Sequence, residues 1–239
     1  NEGVAINYVA VTNSEDATMV DAPKISLVAP LVAARRKGLV FPVNGVSSAS
    51  DVITSLKGYY THRGSHPEYL ALVGSHSSIP LAQVEDPMYP APATLGTDLY
   101  YAIADNDSFP DIAIGRIIAH NGKEASLITS RISTYDHLRN GEWDNKYVET
   151  GVWDFPSTSH LVENYGYSAI PSLVGGAIKA GNTERIDAGI FLHNAHSGNT
   201  DLGGAFDVNS TSLLSPMVIL SHGCGVTGID LDVPDSKYV

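Results

Sequence analysis

Short apolar runs alternate along this chain with segments of helical pattern, and that alternation constrains its fold more than any other feature. Val4–Thr12 reads as a first strand, 22–37 as a helix ending at Gly38, and Val40, Phe41 and Val43 as a second strand. Ser47-Ser48-Ala49-Ser50-Asp51 supplies capping chemistry for a helix over about 49–62, and Tyr69–Gly74 reads as a third strand. Short apolar runs bounded by glycine turns are what strands buried on both faces look like. Helices between such strands specify a parallel sheet with helices on its faces. Residues 82–97, rich in Pro and Ala, read as a connector between halves. Strand-like runs follow at Asp98–Ile103 and Asp111–Arg116, then a helix over about 122–139, a strand over 146–153, a helix over 157–165 and a strand over 167–171. A short helix near 174–181 precedes two last strands, Ala188–Leu192 and Pro216–Leu220.

Composition removes several classes of partner. Hydrophobic residues make up 43% of the 239, enough for a real core. Fourteen basic against 26 acidic residues give a net charge of -12, which repels nucleic acid and anionic membrane surfaces, so neither is expected as a partner. The one basic cluster, Arg35-Arg36-Lys37, reads as the last turn of a helix, where cations suit the dipole. No run of about 18 apolar residues exists to span a membrane. A single cysteine excludes an internal disulfide framework. The acidic balance, with few lysines and abundant Ser, Asn, Gly and Tyr, leans towards a secreted or cell-surface protein. A start at Asn1 and an end at Val239 soon after that cysteine read as a processed or incomplete piece of a longer precursor.

The chemistry lies at the ends of the last two strands. Cys224 follows the run 216–220 in Ser221-His222-Gly223-Cys224-Gly225, and His196 follows 188–192 in His193-Asn194-Ala195-His196-Ser197-Gly198. Functional groups of open parallel sheets collect at the carboxyl ends of the strands. Neighbouring strands would therefore bring both groups to one rim. Thiolate is the nucleophile and an imidazole can accept its proton, while glycines let a substrate approach the backbone. A lone cysteine more often packs as a small hydrophobe; the glycine-rich setting and the matched histidine turn favour catalysis here. His222 and His193 are the alternative bases. His62, His66, His76, His120, His137 and His160 read as solvated, and no spacing specifies zinc. Arg116 is expected to pair with a local carboxylate. No lysine follows Gly74-Ser75, so that turn is not a phosphate loop.

Several blocks in sequence order resemble the gingipain-type cysteine peptidases of the caspase-like clan. They are Tyr69–Gly74 with Ile79-Pro80, Thr97-Asp98-Leu99-Tyr100-Tyr101, Asp105-Asn106-Asp107, Pro110–Arg116, Glu163-Asn164-Tyr165-Gly166-Tyr167, the Ala195–Gly198 turn, and Cys224 with Gly228. The resemblance implies a smaller α/β subdomain over 1–95. A caspase-like subdomain follows over 96–239, a three-layer parallel sheet with helices on both faces, incomplete at its C-terminus. It implies a cysteine endopeptidase acting on peptide or protein substrates through an acyl-enzyme. Cys224 is then the nucleophile, His196 the general acid/base and Asp154 the residue that steadies the histidine, with the backbone amides of Ser197 and Cys224 as oxyanion hole. No cofactor is required, though Asp98, Asp105, Asp107 and Asp111 could hold a structural calcium as in related enzymes; the EF-hand pattern is absent. No aspartate occurs between Phe155 and Glu163, so a taste for Arg or Lys is not expected. Two alternatives stand beside this reading: a sortase-like transpeptidase of the same family, and a non-catalytic surface or scaffold module. The second follows from Ala195-His196-Ser197, which stands where the family usually has Gly-His-Gly.

Overall fold

The computed structural model describes residues 6–18, 23–85, 94–105, 107–138, 141, 143–151, 160, 162–169, 188–194 and 218–221. Its elements, in chain order, begin with strand β1 (Tyr8–Asn13), the single turn α1 (Glu15–Thr18), a 3-10 helix (Ile25–Val28), α2 (Ala29–Arg35), β2 (Leu39–Val43), α3 (Ala49–Arg63) and β3 (Tyr69–Val73). Next come β4 (Ala82–Glu85), β5 (Thr94–Thr97), a second 3-10 helix (Leu99–Ala102), β6 (Ala113–Ile117) and α4 (Gly122–Leu138). The last four are β7 (Lys146–Gly151), β8 (Ser168–Ala169), β9 (Ile190–Asn194) and β10 (Val218–Ser221). Among these residues no helix is long and apolar enough to cross a membrane.

Two four-stranded sheets result, ordered β2-β1-β3-β6 and β10-β9-β7-β8, and every pairing within them is parallel. The expected α/β class is what the structure has, with helices on both faces of the first parallel sheet. The chain divides into compact units at residues 1–133 and 134–239. The sequence puts the division after residue 95; pairing of β6 with β3 carries the first sheet beyond that point.

In the first unit the period of two along each strand sorts side chains between two helical layers. Val9, Val11, Leu70 and Leu72 pack with Val52, Leu56 and Tyr60 of α3. Ala10, Ala71 and Val73 pack with Ala29, Val32 and Ala33 of α2 and Ala125 of α4. Burying one such Val or Leu fully stabilises by about 1.5–3 kcal/mol, so this double cover is the main stabilising term. Local signals fix the helix ends. Ser48 caps α3 by accepting from the Asp51 amide while the Asp51 carboxylate accepts from the Ser48 amide, and Gly64, at φ 73°, closes the other end in the left-handed region. The expected helix over 22–37 is shorter as observed, because Pro30 lacks an amide hydrogen and is tolerated only in a first turn, which starts α2 at Ala29. Gly38 leaves α2 pressed against Tyr8, where a Cβ would overlap the Tyr8 carbonyl.

Two other segments differ from expectation. The connector 82–97 contains an antiparallel ladder pairing Ala82 with Thr97 and Glu85 with Thr94. Leu99–Ala102 forms a 3-10 turn rather than a strand: Asp98 is tied to Arg116, and Tyr101 and Ala102, adjacent in sequence, are both buried against the α3 layer. The helix expected near 174–181 lies outside the described residues.

The second unit has its own small core. Ile190 and Leu192 of β9 pack with Tyr147 of β7 and Val162 of the helical turn at 162–164, with Tyr167 and Ala169 against them. Tyr147 donates its hydroxyl to Glu163 at 2.8 Å. Gly189 lets the chain enter β9 close to the Asp144 carbonyl, which a Cβ would overlap.

Candidate active site

Strand order decides which turns meet. In the second sheet β9 lies between β10 and β7, so the segments that lead to Cys224, His196 and Asp154 leave three adjacent parallel strands in that spatial order. The register is closer still. Ser221 pairs with His193, and Cys224 and His196 each lie three residues beyond their member of that pair. On the other side Gly151 pairs with Asn194, with Asp154 three residues beyond Gly151 and His196 two beyond Asn194. Adjacent strands stand about 4.8 Å apart, and three residues span at most about 10 Å. The described ends of the three strands, Ser221, Asn194 and Gly151, therefore lie side by side at one rim. His196, Ser197, Cys224, Asp154 and the alternative base His222 themselves lie outside the described residues.

Strand β9, which leads to His196, is buried. Phe191, Leu192 and His193 are all at 0% exposure, and Ile190 is at 8%. A buried imidazole at the end of an apolar run is a feature that sequence reading met only as an alternative base; the signal was the polar residue that ends the run Ala188–Leu192.

The rim of the first sheet is occupied by the protein's own groups. Order β2-β1-β3-β6 puts a topological switch point between β1 and β3, the usual ligand crevice of an open α/β sheet. There Thr12 Oγ1 donates to the Val73 carbonyl at 2.9 Å, and Asn13 Nδ2 donates to the Ser78 carbonyl at 3.0 Å. Arg116 completes the closure. Its Nε and Nη2 fork onto Asp98 at 2.8 and 2.6 Å, and its Nη1 donates to the carbonyls of Gly74, Ser75 and Ile79 at 3.0, 3.3 and 3.0 Å. The expectation that Arg116 pairs with a local carboxylate is met, with Asp98 the partner.

The four aspartates offered for calcium each accept a hydrogen bond from a neighbouring group. Asp98 serves Arg116, while Asp105 Oδ1 accepts from the Asp107 amide at 2.8 Å, Asp107 Oδ1 from the Phe109 amide at 2.7 Å, and Asp111 Oδ2 from the Ala104 amide at 2.9 Å. Among the described residues no three His, Cys, Asp or Glu side chains gather closely enough to hold a metal ion. His62, His66, His76, His120, His137 and His160 are exposed, as expected.

Comparison with known proteins gives two findings. The model of peptidase family C25 matches residues 6–222, ending two residues before Cys224. A solved structure described as a protease superposes with a TM-score of 0.63 at 18% identity, over 92% of this chain and 52% of that one. The chain thus spans about half the length of that protein, and the likeness is one of fold. No curated protein matches.

Proposed function

The chain belongs to peptidase family C25, the gingipain family, and on that premise we propose that it is a cysteine endopeptidase whose nucleophile is Cys224 and whose general acid/base is His196. The observation that carries the reading is the register pair His193 and Ser221, which starts the histidine and cysteine turns from one level of adjacent strands. In the reaction the Cys224 thiolate attacks the scissile carbonyl carbon and a C–S bond forms. Backbone amides of Ser197 and Cys224 hold the developing oxyanion; one such donor is typically worth about 10² to 10³ in rate. His196 then protonates the leaving amine as the C–N bond breaks. Water, deprotonated by the same imidazole, attacks the thioester and releases the acid and free thiol. Asp154, approaching from β7 on the far side of the histidine strand, steadies the imidazole.

Substrates are peptides or proteins. The absence of aspartate between Phe155 and Glu163 argues for a preference other than Arg or Lys. The acidic composition and the family together favour a secreted or cell-surface setting, with this chain as one part of a longer protein. Replacing Cys224 tests the assignment: Cys224→Ala abolishes both peptide cleavage and covalent labelling by a thiol-reactive peptidyl probe. Labelling or cleavage at the unsubstituted level would overturn it.

A further inference from the structure

We propose that His193 is a positioning residue, a buried imidazole that holds the His196 and Cys224 turns in mutual geometry; the inference rests on the assignment of those two residues above. His193 stands at the last paired level of the β9–β10 ladder, in register with Ser221 of β10 and with Thr150 of β7. It is the last of four consecutive β9 residues, Ile190–His193, paired with both β10 and β7, and so the one nearest the segments that lead to Cys224, His196 and Asp154.

Its chemistry is out of place for a purely structural strand. The side chain is at 0% exposure, in a run whose other members are Ile190, Phe191 and Leu192. Alternation puts it with Phe191, on the face opposite the Ile190 and Leu192 core. Burying an imidazole costs more than burying a leucine of similar volume unless its nitrogens are satisfied, so hydrophobic packing alone selects against histidine here. What an imidazole adds is directional hydrogen bonding at a fixed height, with one ring nitrogen donating and the other accepting. Three residues below the catalytic positions, that direction is transmitted to both turns, because the backbone of each leaves from this level.

The test compares His193→Leu, His193→Asn and His193→Gln in the full chain, with Cys224→Ala and His196→Ala alongside. Circular dichroism and thermal midpoint report folding. Peptide hydrolysis is measured across pH, with labelling by a small haloacetamide as a separate readout of the thiol. Displacing a reacting group by about 1 Å can cost about 100-fold. We expect His193→Leu to fold, to keep KM within about twofold and to lose about 10- to 100-fold in kcat. One of the two amide variants, matching the nitrogen that matters, recovers part of that loss. If His193→Leu fails to fold, the amide variants decide: a folded variant with lowered kcat and unchanged KM supports the role. Folded variants with unaltered kcat and pH profile overturn it. A loss as deep as that of His196→Ala in every variant also overturns it, in favour of His193 as the base itself. Activity surviving in Cys224→Ala would sink the underlying assignment instead, a result the His193 variants alone do not produce.

Discussion

Ser221 pairs with His193 in the parallel ladder that joins β10 to β9, and this pair is the level from which the cysteine and histidine turns both depart. Matching depends on equal chain length above it. Inserting one glycine between Asn194 and His196 leaves the ladder intact but shifts the histidine relative to Cys224. The insertion should lower kcat/KM by about 100-fold or more while the thermal midpoint stays near that of the unaltered chain. Steady-state kinetics beside a melting curve checks it, and undiminished hydrolysis would show that the equal spacing is unimportant.

Which parts of this arrangement were legible in the sequence follows from range. Strand–helix alternation is a local signal, and it located β1, β2, β3, α3, α4, β9 and β10 because each buries residues at a period set by its own backbone. It also predicted that two strands bearing histidine and thiol would be neighbours. Register was not legible, since the pairing of His193 with Ser221 depends on contacts between segments far apart in the chain. The segment Asp98–Ile103 shows the same limit. An apolar run holding Tyr100 and Tyr101 reads locally as a strand; what makes it a 3-10 turn is the tie from Asp98 to Arg116, eighteen residues on. That Arg116 would take a carboxylate partner was readable from the sequence, but that the partner is Asp98 was not.

Arg116 and Asp98 should carry stability out of proportion to a surface pair. The Arg116 side chain is only 4% exposed, and its removal would take from the Asp98 carboxylate and the Gly74 and Ile79 carbonyls the donors that Arg116 supplies, while the Ser75 carbonyl keeps the amides of Ser78 and Ile79. Breaking a buried pair typically costs about 3–5 kcal/mol; Asp98 is 20% exposed, so Arg116→Ala belongs at the lower end. Arg116→Lys keeps the charge but cannot fork onto both carboxylate oxygens and reach the carbonyls at once, so it should recover less than half of the loss. Urea denaturation of the three chains measures this; a lysine variant as stable as the original would show that charge alone suffices.

Alkaline stability should be governed by buried phenols. Burial, joined by the hydrogen bond to Glu163, pushes the Tyr147 hydroxyl up to about 12 from the ordinary 10.0. Burial also raises Tyr8, Tyr60 and Tyr101. A group whose folded pKa exceeds its unfolded value contributes fully below the unfolded value and loses that contribution as pH rises through the folded one. The fold should therefore hold its stability to about pH 10 and lose it between about 10 and 12, with phenolate absorbance rising alongside loss of structure. Tyr147→Phe should cost about 0.5–1.5 kcal/mol at neutral pH through the lost hydrogen bond and should soften the alkaline decline. A decline unchanged by that substitution would remove Tyr147 from the account.

At the acid end the capping carboxylates should act in the opposite sense. Hydrogen bonds from Ser48 and Ser47 hold the Asp51 carboxyl below its ordinary value, and the His120 amide does the same for Glu124. Their contributions are present above the unfolded pKa and disappear as pH falls through the depressed folded values, so the starts of α3 and α4 should loosen below about pH 4. Ser48→Ala removes the reciprocal cap of α3 and should cost about 1 kcal/mol at neutral pH. Hydrogen exchange of the first-turn amides of α3, compared between neutral and acid solution, resolves the effect; protection that is independent of pH would refute it.

The turn after α2 offers a gain rather than a loss. Lys37 sits at φ 52°, a left-handed conformation that costs a side-chain-bearing residue about 1 kcal/mol or more, and Gly38 follows it against Tyr8. Lys37→Gly relieves that strain, and glycine's larger unfolded-state entropy offsets part of the relief, leaving an expected net stabilisation of about 0.5–1 kcal/mol. Gly38→Ala has the opposite consequence, because its Cβ would meet backbone that carries β1 and cannot step aside; overpacking of this kind typically costs about 1–3 kcal/mol. Two adjacent residues thus have opposite requirements: one tolerates glycine in place of a strained lysine, the other admits only glycine. Denaturation midpoints of the two variants should move in opposite directions, and a shared direction would show that the turn relaxes as a unit.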